Sequence, residues 1–319
     1  TKYGYLGVEL FFMISGFVVL MTAAASARLR DFCISRAVRL YPAFWACCTI
    51  TYAANVAFAA PQEFTLDQYL FNMTMVSGFF RVPHIDGAYW SLLVEMRFYA
   101  LVAAVLALGR IYQAQRCLVL WLLACIWLEI LALFPINSIP APALHYLRYF
   151  LITEYAAYFI AGATYFLIWE QGASLNKLLI LLASWGLAIF QSVAIVRKVV
   201  DDNQKAALDT TIVAGILTVF FVMMLLIASR RTGAIASYRW PLAGAVSYPL
   251  YLLHQNLGYL VFDRLYPAIN THALLWGTIV LVVGAAYAVH ALVERRLALR
   301  VKSALIATLT SRASASSNI

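Results

Sequence analysis

Glu9 and Glu95 are carboxylates with apolar and aromatic neighbours, in Gly7-Val8-Glu9-Leu10-Phe11 and Leu93-Val94-Glu95-Met96, well inside runs long enough to form helices. A carboxylate so placed can orient an imidazole, hold a guanidinium or accept a proton. Ser91, Glu95 and Tyr99 recur every four residues and share one helical face. Ser247, Tyr251 and His254 recur at four and then three residues and form a second polar strip, for which a network joining helices is the simpler role. Arg36 and Arg39 stand three apart, so their planar, permanently charged forks lie on one face and suit phosphate. Their simpler role is to hold a loop on the cytoplasmic side, as expected of Arg28 and Arg30. Tyr41-Pro42 marks the expected entry to the next helix, because proline is tolerated in a first helical turn.

Composition says what must position these groups. Of the 319 residues 64% are hydrophobic and 12% charged, against about 25% charged in an ordinary globular protein. Mean hydropathy is +0.83. A water-soluble fold of this size would lack the charged side chains to cover its outside, so lipid is the expected solvent. Disorder, collagen and secreted disulfide scaffolds are excluded by the same numbers. The net charge of +9 reads as basic loops rather than nucleic-acid binding, since no Lys/Arg stripe is interleaved with aromatics. The five cysteines, Cys33, Cys47, Cys48, Cys117 and Cys125, have no CxxC spacing and read as small buried hydrophobes. No metal-binding spacing is present.

A membrane-crossing helix needs about 20 mainly apolar residues. Nine stretches qualify, at roughly 4–24, 41–60, 89–109, 117–136, 147–169, 178–196, 210–229, 242–263 and 273–293. The expected fold is therefore an all-α, polytopic transmembrane helix bundle, a single domain over 1–319, with a polar tail at about 303–319. Fifteen lysines and arginines fall on one side of these spans and seven on the other, with Arg97 inside a span completing the 23. That asymmetry puts the C-terminus in the cytoplasm and the first residues outside. One further helix upstream would bring both ends inside, giving ten spans in the presumed full-length chain.

Ionisable groups inside spans are costly and mark functional sites by default. Glu129 and His290 lie toward span ends and are expected to reach the interface. Glu154 has Arg148 within reach as a partner. Arg97 is two residues from Glu95, too few to share its face, so its stem is expected to reach headgroups or a carboxylate on another helix. In the outer loop at 61–88, His84 and Asp86 either meet a substrate or are simply solvated.

Gly4-Tyr5-Leu6-Gly7-Val8-Glu9-Leu10-Phe11-Phe12-Met13-Ile14-Ser15-Gly16-Phe17 resembles the second-helix signature of the acyltransferase-3 family of integral membrane acyltransferases. Ser35-Arg36-Ala37-Val38-Arg39-Leu40-Tyr41-Pro42 resembles the family's basic RxxR motif, and Asp86 to Tyr99 its WSLxxE stretch. Ser247 to Asn256 and Leu292-Val293-Glu294 resemble its two C-terminal signatures. The blocks run in family order over nearly the whole chain.

The resemblance implies transfer of an acyl group, commonly acetyl, from cytoplasmic acyl-CoA to a hydroxyl of a cell-surface or exported carbohydrate. It implies acyl-CoA as donor substrate with no tightly bound cofactor, membrane lipid as surroundings, and a bacterial inner membrane as location. The family's catalytic histidine lies on a helix preceding the first motif here. This chain alone is therefore expected to be inactive, and His254 matches a different family position. On this reading Glu9 orients that histidine and Arg36 and Arg39 grip the CoA phosphates. Ser91, Glu95, Tyr251 and His254 are structural or substrate-site candidates. The competing readings are a transporter or flippase of a lipid-linked glycan or small solute, and a membrane scaffold without catalysis. A transporter predicts broken helices in matching positions of two halves, a symmetry the sequence lacks.

Overall fold

The computed structural model describes residues 2–26, 28–58, 64–134, 140–202, 208–233 and 241–296, with the backbone alone at 141, 197–202 and 241. The expected polar tail and the basic loop residues Lys205 and Arg239 lie outside the described residues, as do the side chains of Arg197 and Lys198. Every regular element among the described residues is helical, so the chain is an all-α polytopic bundle. Among the described residues, seven helical segments are long and apolar enough to cross a membrane: Gly4–Ala25, Gly87–Ala107, Ile111–Leu133, Pro142–Gln171, Leu175–Val196, Thr210–Ala228 and Thr271–Glu294.

The second and eighth expected spans are also helical, within Leu29–Phe58 and Pro241–Leu265, but are too polar to join that group. The cause is visible in their residues. The first carries Arg30, Asp31, Arg36 and Arg39 in its opening turns and Tyr41, Pro42, Thr49, Thr51 and Asn55 beyond them, and the second carries Ser247, His254, Gln255 and Asn256. These side chains thus depress the hydropathy of the two helices that hold them.

The helices gather into two compact units. The first unit, Thr1–Leu29 with Val94–Tyr238, contains α1 (Gly7–Ala25) and most of α4 (Trp90–Ala107). It also contains α5 (Ala114–Leu133), α6 (Ala141–Phe150), α7 (Thr153–Gln171), α8 (Leu175–Asp202) and α9 (Thr210–Ala228). Its centre is α7, in which every residue from 156 to 168 is buried. Apolar on all sides, α7 packs against α1, α5, α8 and α9, as a helix with no polar face must.

Between helices in lipid there is little hydrophobic driving force, so close packing of small residues does more of the joining. Gly16 of α1 and Gly162 of α7 meet at such a crossing. A Cβ on Gly162 would overlap the Met13 carbonyl, and one on Gly16 the Phe159 carbonyl. Beside the crossing, Phe12 and Phe98 pack on Phe159 at ring separations of 4.8 and 4.3 Å, and Trp121 stacks on Phe98 at 5.9 Å. Gly162→Ala is expected to cost about 1–3 kcal/mol by overpacking, read as a lower melting point in detergent. Gly186→Ala in α8, where a Cβ meets open space, should leave it unchanged or slightly raised.

The second unit, Arg30–Leu93 with Arg239–Ile319, is built on α2 (Leu29–Phe58), the short α3 (Leu66–Asn72), α10 (Pro241–Leu265) and α11 (Thr271–Val289). A π-helical turn, His290–Glu294, continues α11. Pro42 does not begin a new helix, contrary to the expectation from its motif; it lies inside α2. Its missing N–H leaves the Val38 carbonyl without its usual helical donor, which kinks or breaks many helices. Here the helix continues, so Arg36 and Arg39 belong to the same rigid element as the span that follows. Thirty residues make a helix of about 45 Å, longer than the ~30 Å hydrocarbon core.

The loop ahead of α4 is folded rather than solvated. A capping box between Thr65 and Gln68 starts α3. Trp45 of α2 donates to the Met73 carbonyl (2.9 Å), and Tyr52 stacks on Tyr69 at 4.6 Å. Buried Asn72 donates to the Pro83 carbonyl (3.0 Å) and accepts from the Ile85 N–H (3.3 Å), closing the loop on itself.

Candidate functional site

In the first unit the α4 strip finds its partner on α1. Ser15 Oγ and Tyr99 OH both donate to Glu95 Oε1, at 2.7 and 2.6 Å, with Glu95 5% exposed. Glu95 therefore ties α4 to α1, and a carboxylate already accepting two hydroxyls is a brace before it is a proton carrier. Ser91, on the same strip, serves the second unit instead. Its hydroxyl meets Tyr251 OH at 2.6 Å, and Tyr251 OH also donates to the Ala88 carbonyl at 3.1 Å.

Glu9 lies in the first turn of α1 and is partly buried. Tyr5 and Tyr158 are within electrostatic reach of it. Its Oε2 is buried and has no hydrogen-bond partner among the described residues. An unsatisfied buried carboxylate oxygen is costly and calls for a donor. A protonated imidazole or a guanidinium would supply one.

Arg97 Nη1 donates to the Tyr149 carbonyl at 2.8 Å and its guanidinium lies 4.1 Å from the Tyr149 ring centroid, with Glu154 on another helix within electrostatic reach. Glu129 accepts from Arg148 at 3.0 Å and from Gln191 at 2.7 Å, and Gln191 also donates to the Thr153 carbonyl. Arg148 thus pairs with Glu129 rather than Glu154, which stitches α5, α6, α7 and α8 together.

A hollow of about 1110 Å³ runs between α5 and α8, with Gln113, Arg116 and Asn176 at one end and leucines along the rest. A second, of about 370 Å³, is lined by Leu20, Phe98, Val105, Leu118 and Trp121. Neither is lined by a histidine or carboxylate that could activate a hydroxyl.

The second unit gathers the basic motif and both C-terminal signatures. Arg39 Nη1 lies 3.7 Å from Glu294 Oε1, and its guanidinium is 5.9 Å from the Tyr248 ring centroid. Glu294 Oε2 is 2.7 Å from His290 Nδ1, across the π-turn. His290 is part of this chain of charges. Tyr248 is held in turn by a bond from its OH to the Leu40 carbonyl at 3.3 Å. Arg36 is partly buried one turn before Arg39.

Among the described residues, Tyr251 alone on the second strip hydrogen-bonds to another segment. Ser247 Oγ donates to the Ala243 carbonyl of its own helix. Exposed His254 places Nδ1 2.8 Å from the Tyr251 carbonyl. Asp86, 1% exposed, accepts from the backbone N–H groups of Ala88 (2.8 Å) and Asn256 (3.1 Å), fastening the loop to α10. Burial pushes its carboxyl above its ordinary pKa, while those two N–H groups and nearby His254 pull it down. His84 lies 3.2 Å from Ser77 Oγ, and burial lowers its pKa. Both side chains are thus engaged in holding the loop. Asn72 escaped the sequence reading, because a lone asparagine in a polar stretch carries no signal.

These helices, with their few paired ionisable groups, define a polytopic integral membrane protein. The profile of the acyltransferase-3 family, described as an acyltransferase domain, matches residues 4–292. The chain belongs to that family. Nodulation protein 10 of Rhizobium leguminosarum bv. viciae is 28% identical over 146 residues, a match covering 34% of this chain and 40% of the relative. The chain thus spans well under two thirds of that relative's length. No solved structure matches the chain.

Proposed function

We propose that the protein transfers an acyl group, commonly acetyl, from cytoplasmic acyl-CoA to a hydroxyl of a cell-surface or exported carbohydrate. The observation that carries this reading is the arginine pair on α2. Arg39 has a side chain 46% exposed and a guanidinium steadied by Glu294 and Tyr248, in a chain whose family is defined by acyl transfer. A half-open, oriented guanidinium suits the phosphates of CoA.

In the reaction the acceptor oxygen attacks the thioester carbonyl carbon as a base removes its proton. The C–S bond then breaks, and CoA leaves as the thiol carrying that proton. The base is a histidine of the kind the family carries ahead of the first motif, with Glu9 steadying its imidazolium. Arg36 and Arg39 hold the donor by its phosphates, and such positioning contributes several kcal/mol to lowering a barrier. Glu95, Ser91 and Tyr251 keep their helices in place, and donor and acceptor meet within the helix bundle, in a bacterial inner membrane. Membranes bearing the complete gene product, given labelled acetyl-CoA and candidate glycans, should label the glycan. Movement of unlabelled glycan or solute without transfer would favour the transporter reading.

A further inference from the structure

An arginine at the end of a long stem loses much rotamer freedom when it must grip a ligand, and what holds it beforehand decides how well it grips. Arg39 is held from two sides, by the Glu294 carboxylate at 3.7 Å and the Tyr248 ring at 5.9 Å. Each holder is itself anchored, Glu294 by His290 at 2.7 Å and Tyr248 by the Leu40 carbonyl at 3.3 Å. The Glu294 side chain is 10% exposed while that of Arg39 is 46% exposed. The carboxylate therefore meets the guanidinium from the protein side, and the rest of the fork faces open space. His290 and Glu294 stand four residues apart, a spacing at which helical side chains meet, and they do so within the π-turn at the end of α11, a feature frequent at functional sites.

We propose that Glu294, fixed by His290, is a positioning residue that pre-orients Arg39 for the phosphates of the acyl donor, so that the end of α11 completes a grip begun on α2. The inference rests on the donor-binding reading above. Although His290–Glu294 has the form of a carboxylate-oriented base, it does not serve the thioester. In acyl-CoA the pantetheine arm separates the reactive carbonyl from the phosphates that Arg39 holds. The Glu294 charge also opposes that of the incoming phosphate. At a half-exposed guanidinium this repulsion is screened, so orientation prevails.

The test is coenzyme A binding to the purified chain in detergent, by calorimetry, with melting points recorded alongside. Glu294→Gln should weaken binding about fivefold, as expected for loss of an exposed ion pair, with the melting point nearly unchanged. Glu294→Asp should recover part of that loss, and His290→Gln should show a smaller one. In an Arg39→Lys background, Glu294→Gln should add little, because there is no longer a fork to orient. Binding by Glu294→Gln as tight as or tighter than the parent, or losses that simply add in the double variant, would overturn the positioning role alone. Undiminished binding by Arg39→Lys would instead remove the donor grip, and this inference with it. Should Glu294→Gln fail to fold, Glu294→Asp and His290→Gln still decide the matter, since unchanged affinity in both contradicts the proposal.

Discussion

Glu9→Gln in the complete gene product should lower acyl transfer about a hundredfold or more while leaving the amount of protein in the membrane unchanged. The size follows from what general base catalysis contributes, typically 10²–10⁴-fold. The direction follows from charge. Glutamine keeps the shape and one acceptor of Glu9 but not the negative charge that, in the proposed mechanism, stabilises an imidazolium as the acceptor hydroxyl loses its proton. The buried, unpartnered Oε2 makes this separable from folding. Where a carboxylate braces two helices, as Glu95 does through the Oε1 that accepts from Ser15 and Tyr99, neutralisation should appear mainly as lost stability. At Glu9 the fold loses little and the reaction much. A Glu9→Gln enzyme with full kcat would remove Glu9 from the catalytic machinery.

The second large effect is expected at the arginine pair. Arg36→Lys with Arg39→Lys retains both charges, so membrane topology and level should hold. The loss is the bidentate fork, which an ammonium cannot reproduce. Charge-assisted hydrogen bonds are worth about 1.5–3 kcal/mol each, so KM for acyl-CoA should rise at least tenfold with a smaller change in kcat. The KM for the acceptor should stay near its original value. Saturation at the original donor concentration would show that the pair only sets topology.

The helices were legible because lipid imposes a length and hydropathy that local sequence must satisfy, and Glu95 stood out as a charge that lipid rejects. What lay beyond reach was partnership. Periodicity reveals what shares a face on one helix, so Ser91, Glu95 and Tyr99 could be grouped, but not that Ser15 would meet Glu95 while Ser91 would meet Tyr251. Proximity in sequence offered Glu154 as the partner of Arg148, and packing chose Glu129 on another helix. The longest such gap joins Arg39 to Glu294. Pro42 misled for a related reason: a local signal for a helix start was overridden because α2 tolerates one missing backbone bond.

The central claim, that acyl-CoA gives up its acyl group through this protein, is tested most directly with labelled acetyl-CoA and membranes carrying the complete gene product, the parent beside the Arg36→Lys/Arg39→Lys variant. The account predicts alkali-labile label on a glycan hydroxyl with the parent, and label that falls steeply in the variant at low donor concentration and recovers at high. Equal labelling by both at every donor concentration, or a glycan that never acquires label, would contradict it.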